Sequence, residues 1–206
     1  MGRWEPDARG RLAKAAMELY ADQGFEQTTV AEIAARAGLT ERTFFRHFAD
    51  KREVLFYGMD RLRGLLARAV ADAPASATPM DLVGAAFEAA AVMLQENPER
   101  VRLRDAIVSA NAELRERELI KLAALASAVA GALRDRDIPE PGASLAAETG
   151  VAVFKIAFAR WISDPGQPDL PGIIRESMGE LRGMLTDRLA EAGVQPSARQ
   201  DGAGIL

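Results

Sequence analysis

Apolar positions in this chain recur every three or four residues and nowhere settle into a two-residue alternation. Alanine, leucine and arginine dominate, with few β-branched runs, so the pattern predicts an all-α fold. A first helix is expected over 8–22, with Leu12, Ala15, Ala16 and Leu19 on one face. Gly24 should end it as a left-handed cap. Thr29, followed three residues later by Glu32, is a capping box that opens a second helix with Ile33, Ala34 and Ala37 inward. Gly38 stops that helix where a positive φ costs little. Thr40 caps a third helix over 40–47, which turns Phe44 and Phe48 toward the core. Asp50 and Glu53 form a second capping box, expected to open a fourth helix that reaches residue 71.

Beyond a loop at 73–79, helices are expected over 80–96, 98–110, 112–136, 143–162 and 170–190. Asn97-Pro98, Pro139-Glu140-Pro141-Gly142 and the segment 164–169 separate them. Three units follow: a helix-turn-helix domain over 1–52, a helical effector-binding and dimerisation domain over 53–192, and a flexible tail over 193–206.

Two short helices joined by a tight glycine turn form the helix-turn-helix signature. The leading end of the second of these enters a major groove, and here it carries Thr40, Glu41, Arg42 and Thr43. The forked guanidinium of Arg42 suits a guanine edge, and Thr40 and Thr43 suit a phosphate or a thymine methyl. Arg46, His47 and Lys51 lie at the trailing end, where phosphate contacts position a protein without specifying sequence. Thr29 joins this candidate set, and Arg9 and Arg11 could add similar contacts.

The residues Gly24-Phe25-Glu26-Gln27-Thr28-Thr29-Val30, Ile33-Ala34, Ala37-Gly38-Leu39-Thr40, Thr43-Phe44-Phe45-Arg46-His47-Phe48 and Lys51 resemble the TetR family of regulators. The resemblance is specific over residues 9–56; the remainder is similar only in length and helical character. It implies a three-helix DNA-binding domain, a linking fourth helix and a helical effector domain. It further implies a homodimer that binds double-stranded DNA as a repressor and releases it on binding a small lipophilic or acyl-CoA-like effector. At Phe45 the family most often has tyrosine, so the missing hydroxyl shifts a phosphate-holding role toward Thr43, Arg46 or His47.

The region 61–190 has too much apolar surface for a spacer. Phe87, Met93, Leu94, Leu103, Ile107, Leu119, Leu122, Leu125, Phe154 and Phe158 are candidates for its core. Of these, Phe87, Met93, Ile107, Leu122, Phe154 and Phe158 are also candidates for a ligand wall, with Asn111 and Lys155 as polar anchors. On the last helix Ile173, Ile174, Met178, Leu181, Leu185 and Leu189 form an apolar stripe, with Gly179 and Gly183 permitting close approach. Together with Phe154, Phe158 and Trp161 on the preceding helix, this suits a two-fold four-helix interface or an intrachain core. A two-fold dimer would set its recognition helices about 34–36 Å apart, matching a palindromic operator.

Composition narrows the chemistry. The chain has 206 residues, a hydrophobic fraction of 49%, a net charge of −4, one histidine and no cysteine. The acidic total does not favour indiscriminate nucleic-acid binding, although a local patch decides the matter. Without cysteine there are no disulfides, thiolate metal sites or cysteine nucleophiles. No phosphate-cradling, dinucleotide or metalloprotease motif occurs, so neither an enzyme, a cofactor nor a metal is implied. Glu113, Glu116 and Glu118 alternate with Arg115 and Arg117, which reads as a solvated, salt-paired face. Charges interrupt the apolar stretches, and the N-terminus has no signal-peptide pattern, so a cytoplasmic protein without a membrane segment is expected. The alternative to a regulator is a helical small-molecule carrier or interaction protein without specific DNA binding.

Overall fold

The computed structural model describes residues 7–164, 166 and 169–191, with side chains through 185. Among them nine α-helices follow one another: α1 (Ala8–Gln23), α2 (Val30–Arg36), α3 (Glu41–His47), α4 (Met59–Asp72), α5 (Pro79–Gln95), α6 (Pro98–Ala110), α7 (Ala112–Arg134), α8 (Gly142–Ser163) and α9 (Leu170–Glu191). The tail at 193–206 and the side chain of Leu189 lie outside the described residues.

The local signals place the first three helices as expected. The Thr29 hydroxyl accepts from the Glu32 amide, and the Glu32 carboxylate accepts from the Thr29 amide at 2.8 Å. These hydrogen bonds hold the Glu32 carboxyl below its ordinary range. Gly24 and Gly38 have φ of 88° and 66°, so both turns use the left-handed region that glycine enters freely. The fourth helix departs from expectation. Asp50 does accept from the Glu53 amide at 2.9 Å, yet only a 3₁₀ turn, Glu53–Phe56, follows, and α4 begins at Met59. The reason is tertiary: the Glu53 carboxylate does not return to the cap but reaches Arg117 and Lys121 of α7.

Two hydrophobic clusters organise the chain. The first surrounds α1 to α3 and includes Leu12, Tyr20, Phe25, Ile33, Phe44 and Phe48. It is closed by Val54, Leu55 and Phe56 of the 3₁₀ turn, and by Val108 and Leu114 from α6 and α7. Leu103 and Ile107 therefore pack on this N-terminal cluster and not on the second core. The second cluster joins α4, α5, α7, α8 and α9. Its alanines let helices approach closely, most tightly at Gly150, where an added Cβ would lie 2.2 Å from Val83 Cγ1 on α5. Arg136 donates to the carbonyls of Val70, Ala73 and Pro74, satisfying the exposed end of α4.

Contrary to the expectation that charge breaks every long apolar stretch, α8 has the length and hydropathy of a membrane span. It nevertheless buries Ala143, Ala147, Gly150, Phe154, Ala157 and Trp161 in the second cluster.

Candidate nucleic-acid interface and an interdomain cavity

Helix α3 is short and half-embedded. Phe44 is fully buried at its centre, and Phe48 caps it from below. The opposite face presents Glu41, Arg42, Phe45 and Arg46 to solvent. Phe45 is 55% exposed, an unusual position for so large a ring unless something covers it. Thr40 caps the helix by accepting from the Thr43 amide at 3.2 Å, and the two hydroxyls lie 3.1 Å apart. Among the described residues Arg42 and Arg46 have no ion-pair partner. His47 is half-buried, and its Nε2 has no hydrogen-bond partner there. Thr29 is exposed, with its hydroxyl engaged by Glu32.

Lys51 sits differently. Its ammonium donates to the carbonyls of Phe25, Glu26 and Thr28 at 2.9, 3.0 and 2.9 Å, and lies 4.7 Å from the Phe25 ring centre. An ammonium has three donors, and all three are spent on the α1–α2 turn. The Lys51 carbonyl in turn accepts from the Tyr20 hydroxyl at 2.7 Å. Burial, and then the nearby Asp50 carboxylate, raise the Tyr20 pKa well above the usual tyrosine range. Lys51 and Tyr20 thus tie the turn, α1 and the end of α3 together.

A cavity of about 840 Å³ opens between the N-terminal unit and the helices behind it. Met93, Leu122, Phe154, Phe158 and Lys155, all expected at a ligand wall, line it. Phe87, Ile107 and Asn111 do not. Phe87 is buried against Phe154, Ile107 packs on the N-terminal cluster, and Asn111 caps α7 while reaching Glu26. Leu119, expected in the core, is 57% exposed and forms part of the cavity wall.

The structure adds polar residues that the sequence reading passed over, among them Arg104 and Asp105, and brings Glu118 to them. Arg104 and Asp105 of α6 and Glu118 of α7 line the cavity, with Tyr57 and Leu55 from the N-terminal side. Arg104 pairs with Glu118, donates to the Leu55 carbonyl at 3.3 Å and lies 5.0 Å from the Phe56 ring centre. Burial, with Glu118 reinforcing it, raises the Asp105 pKa against the opposing pull of Arg104. Glu118 is consequently not part of a purely solvated face, and Arg117 reaches Asp50 and Glu53 of the N-terminal unit. A signal for both acids was present: Val101, Asp105 and Val108 share one helical stripe, as do Leu114, Glu118, Leu122 and Leu125. A carboxylate within an apolar stripe marks a wet cavity or a paired charge.

The apolar residues of the last two helices divide between the two readings, interface and intrachain core. Phe154 and Trp161 are buried within the chain, and Phe158 packs against that core. Ile173, Ile174 and Met178 of α9 are likewise buried. Among the described residues of α8 and α9, the large apolar groups left outside are Leu145, Ile156, Met184 and Leu185, and no described atom lies within 4 Å of a Cβ built on Gly179 or Gly183.

Comparison with known proteins fits this arrangement. The profile described as "Bacterial regulatory proteins, tetR family" matches residues 12–57, and that described as "MftR C-terminal domain" matches residues 77–186. The chain is 38% identical over 81 residues to the HTH-type transcriptional regulator TcmR of Streptomyces glaucescens, covering 39% of this chain and 36% of TcmR. The chain thus spans about a third of that relative's length. It is similar to the crystal structure of Thermus thermophilus FadR, a TetR family repressor in complex with lauroyl-CoA: TM-score 0.56, 23% identity, 95% of this chain and 100% of that one. A regulator structure from Pseudomonas aeruginosa PAO1 gives a TM-score of 0.63 at 19% identity, covering 89% and 93% of the two chains. With one profile on the helix-turn-helix and another on more than half of the sequence, this chain belongs to the TetR family of bacterial transcriptional regulators.

Proposed function

We propose that this protein is a ligand-responsive, sequence-specific DNA-binding regulator, acting as a homodimeric repressor released from a palindromic operator by a lipophilic effector. The observation that carries this reading is the outward face of α3: Arg42, Phe45 and Arg46 project from a helix whose other side is locked by Phe44 and Phe48. Arg42 reads a base edge, and Arg46 and His47 contact phosphate. Thr40, Glu41 and Thr43 border the same groove, and Thr29 lies beside it. Phe45 stacks its ring on the sugar-phosphate wall. Lys51 is a positioning residue, because its donors are already committed.

The cavity is the effector site. Its volume falls within the range of small-molecule pockets, about 300–1,000 Å³. An acyl-CoA is one occupant to test, because lauroyl-CoA is bound in the T. thermophilus FadR structure. Coupling passes through Arg104, which joins the cavity wall to the Leu55 carbonyl beneath the DNA-binding unit. A ligand that fits one position of Arg104 better than another shifts the balance between a DNA-bound and a released spacing of the recognition helices. The exposed Leu145, Ile156, Met184 and Leu185 form the dimer face. Family membership supports a cytoplasmic binding protein and not an enzyme.

Selection of bound duplexes from a random library, repeated at two salt concentrations, tests the reading. Enrichment of an inverted repeat supports a specific dimer. Weak binding that vanishes with salt and enriches nothing favours a carrier or interaction protein instead.

A further inference from the structure

The cavity carries its charges at two levels of burial. Arg61, Arg100, Lys155, Asp60 and Glu96 are solvent-exposed. Arg9, Arg104, Asp105 and Glu118 are only partly exposed, and Arg9 is directed to Asp60 at 3.8 Å. Screening by water weakens the outer set, so the inner four, and above all the one without a partner, decide which head group is held. Arg104 neutralises one carboxylate, its partner Glu118. Asp105 accepts no hydrogen bond and makes no ion pair among the described residues. A half-buried carboxylate without a partner is costly, and its raised pKa is the sign of that cost.

We infer that the effector is a lipophilic amine whose protonated nitrogen pairs with Asp105 while its apolar body lies against Leu122, Phe154 and Phe158. The inference rests on the reading of the cavity as an effector site and specifies its ligand class. An alcohol would supply a hydrogen bond but leave the Asp105 charge uncompensated. A carboxylate or a phosphate would set a second negative charge beside the unpartnered Asp105, since Arg104 is already paired with Glu118. The aromatic wall favours the same sign, because ring faces attract cations: Tyr57 already carries the Arg9 guanidinium 5.3 Å from its ring centre, and Phe154 and Phe158 line the same cavity. An approaching ammonium also competes with Arg104 for Glu118, and so loosens the hold on Leu55.

Four probes of one chain length separate these possibilities: decylamine, 1-decanol, decanoate and decanoyl-CoA. Binding to the full chain is measured by titration calorimetry, and release of an enriched duplex by fluorescence anisotropy. Decylamine should bind about tenfold tighter than decanol, as expected for a charge-assisted hydrogen bond, with decanoate weaker than both. Asp105→Asn should erase the advantage of the amine and leave decanol binding intact, and the retained decanol affinity shows that the variant is folded. Tighter binding of decanoate or decanoyl-CoA than of decylamine overturns the inference, as does an amine preference that survives in Asp105→Asn. Binding and release by decanol without an amine preference overturns the ligand class alone. If none of the four binds, the effector reading of the cavity fails with it.

Discussion

The two hydrophobic clusters are both helical, yet they are filled in opposite ways. The N-terminal cluster interlocks aromatic rings: Tyr20 meets Phe25 edge-on at 5.2 Å, and Phe44 lies 5.6 Å from Phe48. Polar staples then fix its turns, with Lys51 alone holding three carbonyls. The larger cluster relies on alanines and Gly150, which bring helices close along much of their length. Its rings gather in one chain, Phe87, Phe154, Phe158 and Trp161, and beside that chain a cavity remains. On the proposed function, the DNA-binding unit must hold its side chains in one geometry, whereas the effector cavity must retain room. The cavity forfeits dispersion contacts that the N-terminal unit makes in full.

The sharpest test of this contrast is a pair of deletions. Phe44→Ala empties a fully buried site and should cost about 3–5 kcal/mol in urea unfolding. Phe158→Ala enlarges a space that already exists and should cost less than about 1.5 kcal/mol. Equal losses would break the distinction between a packed unit and a hollow one. Next in size is Lys51→Met, which removes three hydrogen bonds from a charged donor and should cost about 2–3 kcal/mol of stability. Its salt slope for DNA binding should match that of the unmodified chain. A slope smaller by about 0.9 would instead reveal a lost phosphate contact.

Arg42→Ala should behave in the opposite way. It should leave the unfolding midpoint unchanged, weaken a specific duplex by about 1–3 kcal/mol, and relax selection at one base pair. The smallest effect is a dependence on alkaline pH. The folded-state pKa of Tyr20 is raised, so its hydroxyl stays protonated in the fold while the unfolded chain ionises near the ordinary value of about 10. Its contribution is therefore complete below about pH 10 and declines as pH rises above that value. Tyr20→Phe should flatten this decline in the unfolding midpoint, measured from pH 8 to pH 11.

Much of the N-terminal unit was legible because its signals are local. The capping box at Thr29 and Glu32, the glycines at 24 and 38, and the Thr40 cap each act within four residues, and the structure contains all of them. The outward position of Arg42 followed from the same spacing. Lys51 was not legible, because its partners lie 23 to 26 residues earlier in the chain. The 3₁₀ turn in place of a longer fourth helix was hidden for the same reason: Glu53 answers to Arg117 and Lys121, more than sixty residues away.

The sequence by itself determined the helical class, the caps of the second and third helices and the family, since backbone preference and short-range hydrogen bonding are properties of neighbouring residues. Tertiary structure alone decided which apolar residues face a cavity and which fill a core, because Phe87 and Phe158 are chemically identical and differ only in what packs against them. It also decided the charge at the inner wall. The helical stripes place Asp105 and Glu118 among apolar residues, but only the packing of α6 against α7 pairs Arg104 with Glu118 and leaves the partly buried Asp105 without a partner among the described residues.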